Sequence, residues 1–110
     1  MRRFVAMRGI GLIALLCTAG FVAQAHADDA TALFTKYKCT KCHAVDKRLE
    51  TAPSYNEVAA KYKKTADAQT QLEKVVKDGG GDVWGETRMP ANPHIPDADV
   101  TAMVKWILKH

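Results

Sequence analysis

Two thiols and an imidazole stand together at Cys39-Thr40-Lys41-Cys42-His43. Thiols three positions apart can each form a thioether to one vinyl group of a haem, while the imidazole that follows reaches the iron. Other chemistries also use a Cys-x-x-Cys pair. A structural zinc site needs four ligands, but the chain after this motif has no further cysteine, and His94 and His110 stand apart from each other. A thioredoxin-like redox pair sits in a β-α-β context, which the apolar patterning of this chain does not offer. A Cys39–Cys42 disulfide is permitted in an oxidising compartment, but the adjacent His43 favours covalent haem attachment.

Iron held by His43 on one face leaves a position on the other. The side chains able to fill it are Met89, Met103, His94 and His110. Met103 falls on the apolar stripe of the last helical segment, where a flexible methionine serves as core filler. His110 is the final residue and His94 lies between prolines. Met89 stands in an irregular stretch just before Pro90, which biases it to an extended backbone suited to presenting a side chain inward. Met89 is therefore the candidate distal ligand, the alternative being a buried loop methionine.

These groups must be positioned by helices. Asp28 and Asp29 can cap a first helix, with Ala30, Leu33, Phe34 and Tyr37 on one stripe leading into the cysteine motif. Ser54 and Glu57 form an S-x-x-E capping box, and Tyr55, Val58, Ala59 and Tyr62 carry the helical spacing, predicting a second helix from Ser54 to Tyr62. Asp67 is expected to open a third, with Ala68, Leu72, Val75 and Val76 inward and Gly79, Gly80 and Gly81 ending it. Residues 79–96 hold four glycines and three prolines and read as a loop. A loop of that length in a small domain tends to be functional. Asp97 is expected to cap a final helix with Val100, Met103, Val104 and Ile107 inward, widened by Trp106 and Leu108. No strand-like alternation or repeat is evident, so the predicted class is all-α.

The first 27 residues read as an export signal. Arg2, Arg3 and Arg8 precede a largely apolar run from Ile10 to Ala23, and Ala25-His26-Ala27 supplies the small residues of a cleavage site. A membrane anchor is the alternative, but a run of about 14 residues falls short of the ~20 needed to span a bilayer. Cys17 follows Leu16 rather than the glycine or alanine of a lipobox, and reads as filler. Cleavage after Ala27 leaves one 83-residue domain, 28–110, with 13 basic and 12 acidic residues and a net charge of +1. That balance is too small for a nucleic-acid binder. So short a chain usually needs a staple, which a large apolar cofactor would supply.

With these residues in hand, the chain resembles the small bacterial single-haem class I cytochromes c. The likeness runs over residues 30–108 through LFTKYKCTKCHAVD, APSYNEVAAKY, GGGDVWGETRMPAN and VTAMVKWILK. It implies about four helices wrapped around one covalent haem c, with Met89 as distal ligand and Asn92 supporting its sulfur. It further implies that Pro53 offers its carbonyl to His43 and that Trp84 approaches a haem propionate. Three departures stand out. Ala52 precedes Pro53 where glycine is usual, which alters the turn carrying that carbonyl. Glu86, Thr87 and Arg88 replace a proline-rich stretch before Met89. Relatives often carry an arginine near Val75 for a propionate, and Arg88 is the candidate substitute.

Iron with imidazole and thioether ligands has no open position and passes single electrons at relatively positive potentials. No second carboxylate, nucleophile or base accompanies the motif, so the expectation is a periplasmic electron carrier of a respiratory chain, not an enzyme. Its partners would be redox proteins, such as a membrane cytochrome complex and a terminal reductase or oxidase. A monomer without nucleic-acid binding or stable membrane insertion is expected. Lys38, Lys41, Lys61, Lys63 and Lys64 are candidate docking residues, with ordinary solvated faces as the alternative. A five-coordinate haem binding a small gas or peroxide, and a haem subunit of a larger oxidoreductase, are the competing readings.

Overall fold

The computed structural model describes residues 28–110 together with Gly20. Of the expected export signal only Gly20 is therefore described; Cys17 and the cleavage site lie outside the described residues, and so do the side chains of Asp28 and Asp29.

Among the described residues four helices follow one another: α1 (Asp28–Lys36), α2 (Tyr55–Tyr62), α3 (Ala68–Asp78) and α4 (Asp97–Leu108). A short 3₁₀ turn, Cys39–Lys41, lies between α1 and α2. Their apolar stripes meet in a core of Phe34, Tyr55, Val58, Leu72, Val100, Met103, Val104 and Ile107, joined by Ile95 from the segment before α4. Helix α4 is the hub, packing against α1, α2 and α3. Its Val100, Met103 and Val104 are at most 2% exposed, so the centre of the stripe read from the sequence is deeply buried.

Helix ends explain how the connecting segments are aimed. The capping box at α2 is complete: Ser54 Oγ accepts from Glu57 N at 3.1 Å and Glu57 Oε2 accepts from Ser54 N at 2.7 Å. Helix α1 stops at Lys36, short of the cysteine motif, and Lys38 takes a left-handed backbone (φ 61°) that turns the chain into the 3₁₀ segment. One of the two expected aspartate starts differs. Asp67 opens α3 as expected, standing at its N-cap position; its carbonyl accepts from Gln71 N at 3.0 Å and its Oδ1 from Gln71 Nε2 at 2.8 Å. Asp97 is the first residue inside α4, and Pro96 is its N-cap. The Pro96 carbonyl accepts from Asp99 N and Val100 N, while the Asp97 carboxylate turns to Lys77.

The 79–96 segment has no helix, as expected, but it is closed by an antiparallel bridge between Gly80 and Met89. Each residue of the pair donates its N–H to the other's carbonyl. Gly79 ends α3 with φ 80°. A Cβ there would lie 2.7 Å from the Met89 carbonyl oxygen and 2.9 Å from Ala91 N, so only glycine lets the loop come this close.

Candidate functional site

The four helices leave a mostly apolar cavity of about 220 Å³ between the cysteine motif and the long loop. Cys39, Cys42 and His43 line it, as do Pro53, Trp84 and Met89. Met103, Val104 and Ile107 of α4 and Leu72 of α3 form apolar wall. His94 and His110 are not among the lining residues. His94 is exposed beside the Tyr37 ring, and His110 packs on Trp106, centroids 3.8 Å apart, with Nδ1 3.0 Å from the Trp106 carbonyl. Of the four sequence-derived candidates for the second iron position, the two methionines are thus the ones at the cavity.

His43 is held on two sides. Its Nδ1 lies 2.8 Å from the Pro53 carbonyl oxygen. A carbonyl can only accept, so Nδ1 carries the proton and donates, leaving the Nε2 lone pair free for a metal. The bond forms with Ala52 in place of the usual glycine, so the departure in that turn does not prevent it. Tyr55 stacks on the imidazole at 5.4 Å with planes 19° apart. The loop after His43 is docked on α2 because Ala44 and Val45 carbonyls accept from Tyr55 N and Asn56 N. This gives two of the first orphan N–H groups of that helix a partner.

The thiols are unequal. Cys42 is exposed and Cys39 is half-buried. Burial pushes the Cys39 thiol above its ordinary range, with the nearby Cys42 acting in the same direction. Tyr55 shows the same effect more strongly: burial, and then the neighbouring Cys39, push its phenol well above the usual value. Its hydroxyl is buried with no hydrogen-bond partner among the described residues. Such an orphan costs roughly 1–3 kcal/mol, and Tyr55 is a cavity-lining residue. A bound group carrying an acceptor would relieve it.

The remaining sequence-derived residues are placed as follows. Asn92 ties the loop to α3: its N–H is shared by the carbonyls of Val76 and Lys77, and its Nδ2 donates to Val76 O at 3.3 Å and Pro90 O at 3.0 Å. Trp84 is half-buried, and its carbonyl accepts from Arg48 Nη2 at 3.0 Å. Arg48 and Lys61 also lie over its ring, 5.9 and 5.5 Å from the centroid. Arg88 lines the cavity but pairs in the open with Asp82 at 3.2 Å. Lys38, Lys41, Lys61, Lys63 and Lys64 are all exposed.

Sequence reasoning missed Arg48. It reaches Glu57 at 3.2 Å as well as Trp84, clasping the loop after the cysteine motif to α2 and to the Met89 loop. The Trp84 contact spans 36 positions, so no local pattern announces it. Tyr55 was read as an inward position, but its stacking on His43 joins residues from a loop and a helix and has no signature in helical spacing.

A family model described as Cytochrome c matches residues 27–110. The chain belongs to the cytochrome c family. Cytochrome c-551 of Allochromatium vinosum is 44% identical over 91 residues, covering 80% of this chain and 96% of that protein. Cytochrome c-551 of Pseudomonas aeruginosa is 37% identical over 103 residues, covering 93% and 97%. The crystal structure of Nitrosomonas europaea cytochrome c552 superposes with a TM-score of 0.69 at 38% identity, over 72% of this chain and 96% of that one. The protein is thus an all-α, class I, small electron-transfer cytochrome c that carries one covalently attached haem c. The residues present fit that group. Two thiols and an oriented imidazole meet at one apolar cavity, and a buried hydroxyl lacking a partner belongs to its lining. Among the described residues no helix is long and apolar enough to cross a membrane.

Proposed function

We propose that this cytochrome c carries one electron at a time in the periplasm, after loss of residues 1–27, between redox proteins of a respiratory chain. Cys39 and Cys42 hold the haem by thioethers, and His43 and Met89 are its iron ligands. The observation that carries this reading is the Gly80–Met89 bridge, which fixes a methionine of the long loop at the cavity that also holds His43. Met103 also borders that cavity, but it lies on α4 among core residues at 2% exposure, consistent with a filler's role.

When bound, the haem would supply a one-electron couple, with His43 and Met89 as the residues that would hold its iron. The protein's part is orientation and exclusion of water. Pro53 O holds the Nδ1 proton and so fixes the ring plane and raises the basicity of the opposite nitrogen. The Tyr55 ring stacked on His43 limits its tilt. Leu72, Met103, Val104 and Ile107 keep the cavity dry, which lowers the local dielectric and favours the less charged, reduced centre. Exposed Cys42 marks the edge that meets a partner, with Lys38 and Lys41 beside it in sequence. A near-neutral molecule is steered only locally by such lysines, over ~8 Å at physiological salt. Electron-transfer rates with a partner should therefore fall with ionic strength if these lysines dock it.

The test is Met89→Ala in the matured holoprotein, read by optical spectroscopy and redox titration. Loss of the weak methionine-to-iron charge-transfer band and a lowered potential are expected. An unchanged spectrum and potential would remove Met89 as ligand, and rapid carbon monoxide binding by the reduced wild-type protein would favour an open iron position instead.

A further inference from the structure

Lys77 stands in the last turn of α3, outside the cavity lining. Its Nζ donates to the Ile95 carbonyl at 2.7 Å and to the Pro93 carbonyl at 3.4 Å, and pairs with Asp97 Oδ1 at 2.9 Å. All three acceptors belong to residues 93–97, the run that joins the Met89 loop to α4. The Lys77 side chain is only 29% exposed, though Asp97 is 91% exposed, so the part-buried bond to the Ile95 carbonyl is the one least screened by solvent.

The loop around Met89 is fastened in series. Before it, Met89 itself is bridged to Gly80. After it, Asn92 is stitched to the carbonyls of Val76 and Lys77, and Ile95 is seated in the core at 1% exposure. Lys77 closes the series by gathering the far end. A ligand borne on a loop can leave only if the loop lifts, and segments open locally at a free energy set by their own fastenings rather than by global stability.

We propose that Lys77 is a positioning residue for Met89: by binding the carbonyls of Pro93 and Ile95 and the carboxylate of Asp97, it keeps the ligand loop from lifting its sulfur off the iron. This rests on the His43/Met89 reading. A purely structural role, the mere joining of α3 to α4, is separable because those helices are also joined elsewhere. Gln69 Nε2 donates to the Thr101 carbonyl at 3.2 Å, away from the ligand loop.

The experiment measures how fast added imidazole displaces the distal ligand of the oxidised holoprotein, followed through the charge-transfer band, with denaturant stability measured in parallel. Lys77→Gln is expected to accelerate displacement about tenfold, the factor equivalent to ~1.4 kcal/mol. Lys77→Arg, which keeps the charge and the donors, should restore the rate to within about twofold of wild type. Gln69→Ala should lower stability without changing the rate. Asp97→Lys, at a side chain 91% exposed, places a like charge beside the ammonium and should accelerate displacement even if Lys77→Gln does not fold. The proposal is overturned if neither Lys77→Gln nor Asp97→Lys changes the rate, or if Gln69→Ala accelerates it as much. A wild-type protein without the charge-transfer band would instead overturn the ligand reading itself.

Discussion

Replacing Gly79 by alanine separates backbone strain from collision with the ligand loop. Gly79 has φ 80° and ψ 169°, a region that L-residues enter at a cost of about 1–3 kcal/mol. The added Cβ would also stand 2.7 Å from Met89 O, 2.9 Å from Ala91 N and 3.2 Å from Pro90 C. All three are backbone atoms, so no side-chain rotation relieves the overlap, and overpacking adds about 1–3 kcal/mol more. Gly85 provides the comparison: its φ is 127°, yet nothing lies within 4 Å of its Cβ position. Gly85→Ala therefore carries strain alone. Denaturant unfolding of both holoproteins should show Gly79→Ala losing at least ~2 kcal/mol and Gly85→Ala losing less. The charge-transfer band should weaken in Gly79→Ala alone, because the displaced atoms belong to Met89 and its neighbours. Equal stabilities and equal spectra for the two variants would refute the claim that close approach to α3 positions the ligand loop.

Met103→Leu conserves volume in the core, so it should cost less than about 1.5 kcal/mol and leave the charge-transfer band in place; loss of the band by optical spectroscopy would make Met103 the ligand. Ser54→Ala removes the α2 cap and should cost about 0.5–2 kcal/mol in denaturant unfolding. At the same cap the Ser54 N–H holds the Glu57 carboxyl below its ordinary range, helped by Arg48 against some opposing desolvation. Its stabilising effect is therefore fully present above the unfolded value of about 4.3 and fades as pH falls through the lower folded one. Glu57→Gln should flatten that part of the acid limb, and unfolding curves collected down the acid range give the comparison.

The elements legible in the sequence are those whose cause is local. Ser54 and Glu57 announced α2 because a capping box needs only four consecutive residues, and it forms as read. The α4 stripe was legible because burial on a hub helix repeats at helical spacing, and Val100, Met103, Val104 and Ile107 are all buried. Asp97 misleads because a cap depends on competition for the carboxylate, here won by Lys77. The Gly80–Met89 bridge has one residue on each side and so leaves no alternation to detect. Cys39, Cys42 and His43 were readable as a group since short spacing brings them together, whereas Pro53 was implied only by the family resemblance; the structure places all four at the cavity. Arg48 and Lys77 act across 36 and 18 positions, where only tertiary structure makes them neighbours.

The hub arrangement of α4 bears on how the domain closes. Helices α1, α2 and α3 each pack chiefly on α4, so a chain still lacking that last helix has little against which to bury Phe34, Val58 or Leu72. The cavity that surrounds Cys39 and Cys42 takes Met103, Val104 and Ile107 as one of its walls. A C-terminal keystone of this kind makes closure of the whole domain depend on its last helix, Asp97–Leu108.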